Sequence, residues 1–195
     1  MPGILIGGVV TLPFVTPMSV TSNKPVFAMD TVSLNRLTHS QGAQRWELKA
    51  SVMPSNNSAD FFVHSVVNGH SETFDIRMPQ VYRGQNNPAN LSSIAASGTA
   101  GASTVSISGN SGVLYKGEFV RFTSHNKTYM VTATLNGSGT LSIFPRLLTT
   151  TAGSMEHGDT VTFKAVYDTS VVTGLVYTDG ILTDPGVLTF LEKIK

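Results

Sequence analysis

The sequence predicts a mainly β protein with a β-sandwich core, one short helix and an inserted small β-barrel. Three observations predict it. Of the 195 residues, 55 are Ser, Thr or Asn, which favour strands and turns over helices. Several segments alternate apolar and polar residues with a period of two, as half-buried strands do. Short strand-like segments separated by turn signals fill the second half of the chain, which is typical of a small barrel or sandwich.

The N-terminal region is apolar but does not fit a targeting segment. Ile4–Val15 has no Lys or Arg before it, and Pro13 and Pro17 interrupt the region. Both features argue against a secretion signal. We therefore expect an extended arm or an edge strand within residues 1–39, with its apolar side chains covered by another surface.

The clearest strand pattern is Arg45–Val52. One face of this segment is apolar and the other polar, and the apolar face consists of Trp46, Leu48, Ala50 and Val52. Phe74–Met78 and Val161–Tyr167 alternate in the same way. Burying an aromatic side chain removes ~150 to 250 Å² from water, so we expect Trp46 to lie in the core.

The charges on the first two of these segments predict how they pair. An antiparallel register that places Glu47 opposite Arg77 also places Lys49 opposite Asp75. The same register matches the apolar residues of the two inner faces. We therefore predict that these two segments are neighbouring strands.

One helix is predicted, over Ser58–Asn68. Ser58 is a favourable N-cap residue, and Gly69 follows the last residue as a helix stop. Its apolar side chains fall at helical spacing, at Phe62, Val63, Val66 and Val67. Because several of them are β-branched, we expect this helix to form only against a sheet.

The composition then changes to loop residues over Gln85–Gly101. Five short strands are predicted after it: Thr104–Ser108, Glu118–Ser124, Lys127–Leu135, Thr140–Phe144 and Asp159–Val166. Asn136-Gly137 is a strong hairpin signal, and His125-Asn126 indicates a second tight turn. We assign residues 91–166 to the inserted barrel and residues 1–90 plus 167–195 to the sandwich domain. Val171–Tyr177 and Val187–Lys193 are its predicted closing strands.

The charge balance and the absence of cysteine exclude several classes of function. The net charge is +1, from 13 Lys plus Arg against 12 Asp plus Glu, which provides no field to hold nucleic acid or an anionic membrane. No apolar run approaches the ~20 residues of a membrane helix. With zero cysteines, disulfides, thiol catalysis and thiolate metal sites are excluded.

No catalytic, metal or cofactor residues are predicted. The five histidines, at His39, His64, His70, His125 and His157, lack metal-ligand spacing and are expected at the surface or in turns. Ser124-x-x-Lys127 matches the first motif of serine acyl-transferases but spans a predicted turn and lacks the companion motifs. Glu47 and Asp75 are the only acids that could pair as in a glycosidase. Both lie beside basic residues on polar strand faces, so we predict that the protein is not an enzyme. A hydrolase of cell-wall polymer would depend on Glu47.

A carbohydrate-binding module is the alternative of a different class. Tyr115, Tyr129 and Phe144 on a small barrel could form a stacking platform for a sugar. The alternation instead places Tyr129 on the same face as Val131, Ala133 and Leu135, which favours a place in the core.

The order of these elements resembles the distal tail (Dit-like) and related baseplate proteins of long-tailed bacteriophages. The resemblance covers roughly residues 40–193 and rests on short motifs: the QRW of a strand, a helix that closes with Gly, a G-(D/E)-x-(V/I)-x-(F/I)…K-x-Y-x-V barrel, and I-x-P-x-L. The matching positions are Gln44–Trp46, Gly69, Gly117–Phe122, Lys127–Val131 and Ile143–Leu147. Residues 1–39 have no counterpart, and Glu118 stands where the family more often has Asp.

The resemblance implies a structural virion protein without catalytic residues or cofactors. Its β-sandwich domain would form a ring, expected as a hexamer, between the tail tube and the hub or baseplate proteins. The expected location is the tail tip of the virion, after synthesis in the host cytoplasm. The alternative under this resemblance is a carbohydrate- or receptor-binding module on a virion surface.

Overall fold

The described part of the chain is built almost entirely from β-strands. A computed structural model describes residues 3–6, 9–40, 42–52, 73–78, 80, 94–168, 176–178, 181–184 and 187–194. These residues contain strands, turns and a short 3-10 segment, Gly158–Thr160, and no α-helix. The mainly β class is confirmed. The predicted helix Ser58–Asn68 lies outside the described residues.

Eighteen strands are described, and most of them belong to two closed barrels. In chain order they are β1 (Gly3–Ile6), β2 (Val9–Asn23), β3 (Val26–Asp30), β4 (Arg36–Ser40), β5 (Arg45–Val52), β6 (Phe74–Arg77), β7 (Ala95–Gly98), β8 (Thr104–Ser108), β9 (Val113–Leu114), β10 (Phe119–Phe122), β11 (Thr128–Val131), β12 (Leu135–Asn136), β13 (Gly139–Phe144), β14 (Thr151–Glu156), β15 (Thr162–Tyr167), β16 (Val176–Thr178), β17 (Ile181–Asp184) and β18 (Val187–Glu192).

The outer barrel consists of six antiparallel strands in the order β1-β2-β5-β18-β15-β6, and the pairing of β1 with β6 closes it. It corresponds to the predicted sandwich domain. The inward faces of β5 and β6 are those that the alternation predicts. Their buried residues are Trp46, Leu48, Ala50, Phe74, Ile76 and Met78.

The predicted pairing of β5 with β6 is wrong. β5 lies between β2 and β18, whereas β6 lies between β1 and β15. Asp75 therefore faces Lys164 of β15, with Nζ 2.6 Å from Oδ2, and Glu47 faces Leu191 of β18. The alternation fixes which face of a strand is buried, but many pairs of strands satisfy it equally.

The expectation that residues 1–39 form an extended arm is also wrong for the first half of this region. β1 and β2 are strands of the outer barrel, and Ile4 and Phe14 are buried in its core. Pro17 lies where the pairing of β2 with β5 shifts register, between Val15 and Ser19. An irregularity of this kind tolerates a residue without an N–H, so β2 continues past both prolines.

The inserted barrel follows the order β10-β11-β13-β8-β7-β14 and has its own core. β10 and β11 form a hairpin around Ser124 and His125, and β11 and β13 pair symmetrically about Gly137. Gly137 has a positive φ of 72°, which glycine adopts without strain. The predicted turn at His125-Asn126 is confirmed. The chain also reverses direction at Asn136-Gly137, but not as the predicted tight hairpin: the β11–β13 ladder ends at Val131 and Ile143, and β12 pairs with β9 instead. β7 and β14 were not predicted as strands because their Ala, Ser and Gly residues have low strand propensity.

The insertion interrupts two neighbouring strands of the outer barrel. β6 and β15 pair antiparallel, so the chain leaves at Arg77 and returns at Thr162, directly opposite. Such adjacent ends accommodate an inserted domain without separating the strands. Asp159–Val166, predicted as the fifth strand of the module, therefore belongs to the outer barrel as β15. The two-barrel arrangement agrees with an inserted small barrel, although that barrel ends at β14.

Three two-stranded sheets belong to neither barrel. β3 pairs with β4, β9 with β12, and β16 with β17. Of the two predicted closing strands, Val187–Lys193 is β18 of the outer barrel. The described end of Val171–Tyr177 instead pairs with β17 alone, and residues 171–175 lie outside the described part.

We expect Ile4→Ala to lower the free energy of unfolding by about 2 to 5 kcal/mol, because the change removes buried apolar groups and leaves a cavity in the core. Urea unfolding measures the change. Val32→Ala is the matched control, because Val32 is fully exposed and its truncation should change stability by less than about 0.5 kcal/mol. Equal effects of the two substitutions would contradict the placement of β1 in the core.

Candidate functional site: the joint between the two barrels

A buried ion pair connects the inserted barrel to the outer barrel. Lys127, just before β11, donates from Nζ to the Glu192 carboxylate at the end of β18. The side chains are 3% and 0% exposed. Lys127 also donates to the backbone O and to Oε1 of Gln44, at 3.0 and 2.6 Å. The ammonium group therefore has three acceptors from the outer barrel. We call the contact around it the joint.

The Glu192 carboxylate is held by both barrels. Oε1 accepts the N–H of Thr128 at 2.7 Å, and Oε2 accepts the N–H of Trp46 at 3.0 Å. Burial raises the pKa of Glu192, and the Lys127 charge with the two N–H donors opposes that rise. Burial likewise lowers the pKa of Lys127, and Glu192 opposes it. Each charge is therefore tolerable only beside the other.

Aromatic packing surrounds this ion pair. The indole Nε1 of Trp46 donates to the backbone O of Thr128 at 2.8 Å. Its ring meets Phe119 edge-on at 5.4 Å and Phe144 at 6.0 Å between centroids. Phe119, Met130 and Phe144 belong to the inserted barrel but pack in the core of the outer one. The two barrels are thus joined by shared apolar packing as well as by charge.

A second polar contact lies where the chain enters and leaves the inserted barrel. The Gln80 side chain accepts the N–H of Phe119 at 3.0 Å and donates to the Phe119 O at 3.2 Å. It also donates to the O of Gly158 at 3.0 Å. Gln80 lies in the segment that enters the inserted barrel, and Gly158 lies in the segment that leaves it. One side-chain amide therefore connects both segments to β10.

Sequence reasoning missed the joint, although a signal was present. Glu192 is in phase with the buried Leu188 and Phe190 of β18, and Lys127 is in phase with Tyr129 and Val131 of β11. A charged residue at an apolar position of an alternating strand needs a buried partner. Which acid meets which base depends on how the strands are arranged in space.

The Ser124, His125 and Tyr129 side chains form a polar chain in the β10–β11 turn. Ser124 Oγ lies 2.9 Å from His125 Nδ1, and His125 Nε2 lies 2.7 Å from the Tyr129 hydroxyl. That hydroxyl accepts the N–H of Leu148 at 3.0 Å, and burial raises the pKa of Tyr129 to about 12. The phenol therefore keeps its proton, and in the tautomer in which it donates that proton to Nε2 the ring proton lies on Nδ1.

These contacts do not favour nucleophilic catalysis. When Tyr129 donates to Nε2, Nδ1 carries the ring proton and cannot take one from Ser124. Lys127 does not assist Ser124 either, because its ammonium group is occupied in the joint. The chance match to the serine acyl-transferase motif thus has no supporting geometry. The network instead fixes the turn, with Ser124 Oγ also 2.9 Å from Thr151 Oγ1 of β14.

The acids considered for glycoside hydrolysis are not brought together. Glu47 lies on β5 and Asp75 on β6, three strands apart in either direction around the six-stranded barrel. Each acid has polar partners of its own. Asn23 donates to Glu47 at 2.7 Å, and Lys164 binds Asp75. Because the two acids lie on opposite sides of the barrel, the pair lacks the geometry that hydrolysis requires.

The remaining predicted residues are dispersed. His39 lies exposed on β4, whereas His157 is buried and begins a turn, as the N-cap of the 3-10 segment Gly158–Thr160; both positions agree with the expected surface or turn placement. His64 and His70 lie outside the described residues. In the described part of the chain, no three His, Asp or Glu side chains are placed to hold a metal ion.

Two aromatics of the supposed sugar platform pack in different cores, Tyr129 in that of the inserted barrel and Phe144 against that of the outer one. Tyr129 and Val131 are fully buried, as the alternation predicts, whereas Ala133 on the same predicted face is exposed. Phe144 is half-buried against Trp46, and Lys24 Nζ lies 4.1 Å from its centroid. Neither ring offers an open face for stacking.

A pocket of about 450 Å³ opens beside the joint, between the two barrels. Its apolar lining comes from Pro25, Ala43, Pro145, Leu148 and Ile194. Among the described residues that line it, the charged ones are all basic: Arg45, Lys127 and Arg146. Its volume lies within the range of ligand and side-chain binding pockets.

Comparison with models of known protein families found no family that matches this chain, and comparison with curated proteins found no relative. Among the described residues, no helix has the length and apolar character needed to cross a bilayer.

We expect Lys127→Met to lower the free energy of unfolding by about 3 to 5 kcal/mol, because Glu192 would be left as a buried, uncompensated charge. Lys127→Met combined with Glu192→Gln should cost less than the sum of the two single changes. Denaturant unfolding of the four proteins measures the coupling. Lys164→Met is the control, since it removes a partly exposed ion pair worth about 1 kcal/mol or less. A loss no larger than that of the control would contradict the role of the joint.

The stability of the protein should fall as the pH drops below about 6.5, the ordinary histidine value. Burial lowers the pKa of His125, and the nearby Arg121 and Lys127 charges lower it further. Because the folded state resists a proton that the unfolded state accepts, the loss extends down to the folded pKa. Thermal unfolding of His125→Gln over the same pH range should show a shallower slope. An unchanged slope would mean that a group other than His125 causes the pH dependence of stability.

Proposed function

We propose that this chain is a structural protein of a bacteriophage tail tip, a distal tail (Dit-like) adaptor. In this role it forms a ring of six copies between the tail tube and the hub or baseplate proteins. The virion is its site of action, after synthesis in the host cytoplasm. It acts by fitting against other subunits and changes no covalent bond.

The observation that carries this proposal is the composition of the joint. Gln44 and Trp46 come from the QRW motif, Lys127 from the K-x-Y-x-V motif and Phe144 from the I-x-P-x-L motif. Gln44 and Lys127 are 83 residues apart in the chain but meet at 2.6 Å. Motifs that carry a family resemblance thus supply one contact between two domains, which supports a shared architecture over a chance likeness of short β segments.

A fixed joint suits a ring component. The ion pair, the Trp46 contacts and the Gln80 bridge connect the barrels at separate points. A small rotation between the barrels would break these hydrogen bonds while the Lys127 and Glu192 charges remain buried, at a cost of several kcal/mol. Subunits that keep one shape can repeat one contact around a closed ring.

The surface chemistry also favours assembly. The β3–β4 hairpin exposes large apolar side chains at Val26, Phe27, Met29, Val32, Leu34 and Leu37. Clusters of this kind mark interaction sites with other proteins or membranes. The net charge of +1 provides little attraction to nucleic acid or to anionic lipid, so the proposal names protein partners only.

No observation on the described residues favours the carbohydrate-binding alternative. Of its candidate aromatics, Tyr129 is fully buried and Phe144 packs against Trp46. We likewise propose no hydrolysis, because Glu47 and Asp75 lie on opposite sides of the outer barrel. Under this proposal a glycan array records no specific binding, and Glu47→Gln leaves no activity to lose.

We expect the purified protein to form a species of six times 20.7 kDa under native conditions, or a concentration-dependent series that leads to it. Native mass spectrometry gives the mass, and negative-stain images should show rings. A strict monomer at every concentration, or specific sugar binding by that monomer, would refute the proposed function.

A further inference from the structure

The pocket beside the joint has the composition of a small-molecule site. Its volume of about 450 Å³ lies in the range of ligand pockets, which combine an apolar wall with a few polar groups. Pro25, Ala43 and Ile194 in its wall lie next to strands of the outer barrel, whereas Pro145 and Leu148 follow β13 of the inserted one. A molecule in this pocket therefore contacts both barrels at once.

Several polar side chains of the wall are already engaged within the chain. The Lys127 ammonium group donates to the three acceptors of the joint. Gln44 accepts one of these bonds and donates from Nε2 to the Ser22 hydroxyl at 3.1 Å. The Asn23 amide donates to Glu47 at 2.7 Å. These groups are held by the fold, so they contribute little to the recognition of a ligand.

Arg146 differs from the other charged groups of the wall. Its exposed guanidinium group makes no hydrogen bond or ion pair with a described residue. Glu192 neutralises Lys127, and the Glu47 carboxylate lies 3.3 Å from Nη2 of Arg45. No Asp or Glu is among the described residues that line the pocket. Within this lining, one positive charge therefore lacks an anion.

The chemistry of the wall defines the class of molecule that fits. A guanidinium group matches a carboxylate through two parallel N–H donors. One unneutralised cation calls for one negative charge, because a second anionic group would lie against apolar side chains without a partner. The apolar wall favours an apolar body, since the burial of such surface drives association.

We propose that the pocket binds a small monocarboxylate with an apolar body, of the kind of a medium-chain fatty acid. The carboxylate pairs with Arg146, and the apolar body lies against Leu148 and the neighbouring apolar residues. Because both barrels line the pocket, the bound molecule strengthens the joint. This inference goes beyond the proposed function and does not depend on it, since a single chain supplies the pocket.

Calorimetric titration of the purified protein with decanoate tests the ligand class. One molecule should bind per chain, with a dissociation constant in the micromolar range. Decanol has the same apolar body without the charge and should bind about tenfold more weakly, because it loses the charge-assisted hydrogen bonds. The decyltrimethylammonium cation should not bind. If decanoate fails to bind, or if decanol binds equally well, the proposal is wrong.

Arginine substitutions test where the carboxylate lies. Arg146→Gln should weaken the binding of decanoate about tenfold or more and leave that of decanol unchanged. Arg36→Gln is the matched control, because Arg36 is an exposed arginine of β4 outside the pocket, and it should bind decanoate as the parent does. Equal effects of the two substitutions would overturn the assignment of Arg146.

Aspartate substitutions test the apolar wall. Leu148→Asp should abolish the binding of decanoate, because it places a like charge in the wall. Leu148 is 45% exposed, so the variant should fold, which circular dichroism checks. Val187→Asp is the control, since Val187 is 49% exposed on β18 and outside the pocket. Binding that survives Leu148→Asp but is lost in Phe27→Ser would move the site to the exposed β3–β4 hairpin and overturn the proposal.

Thermal unfolding tests the effect on the joint. Decanoate should raise the midpoint temperature with increasing concentration, since it binds the folded chain alone, and the rise should be smaller for Arg146→Gln. The outcomes are separable from those of the proposed function. A hexameric ring that does not bind decanoate overturns this inference alone, and a monomer that binds it overturns the ring alone.

Discussion

The ion pair of Lys127 and Glu192 constrains the arrangement of the whole molecule. Two opposite charges are removed from water at the contact of two barrels, where neither is stable without the other. Each charged group is hydrogen-bonded to the other barrel. Lys127 donates to the Gln44 side chain, and Glu192 accepts the N–H of Thr128. The barrels therefore have one relative position in which all these hydrogen bonds form. Other positions leave a buried charge unpaired.

This constraint links the fold to the proposed assembly. The pocket lies between the barrels and next to the ion pair, so its shape depends on the joint. The β3–β4 hairpin starts at the same pocket. The two barrels are therefore held at a fixed distance and angle within one subunit. A repeated head-to-tail contact requires such a fixed relation, because small errors in angle accumulate around a ring.

The local chemistry explains why polar networks near the joint are structural. The Tyr129 hydroxyl is hydrogen-bonded to His125 and accepts the N–H of Leu148. The imidazole thereby connects the β10–β11 turn to the strand that follows. A Ser beside a His is a common signal of catalysis, but here both ring nitrogens are hydrogen-bonded within the turn. Side-chain identity alone does not reveal this, because the partner of the second nitrogen comes from the next strand.

Strand positions and buried faces followed from the order of residues. Alternation identified the inward residues of β5, β6 and β15, and the Asn136-Gly137 signal marked the symmetry centre of the β11–β13 pairing. These features depend on neighbours within a few residues. The pairing of β5 with β6 failed because apolar and charge complementarity are satisfied by several strand pairs. β7 and β14 were missed because their small residues become strands only when barrel closure pairs them.

The sequence by itself determined that the protein is mainly β, where most of its strands run, and which surfaces they bury, since each of these depends on local periodicity. Only the tertiary structure decided which strands are neighbours, that Glu47 and Asp75 lie apart, that Ile4 is a core residue, and that Lys127 meets Glu192. Those outcomes depend on contacts between segments that are far apart in the chain. The physical reason is that a buried charge or an apolar face requires a partner, whereas the three-dimensional arrangement of the strands determines which residue that partner is.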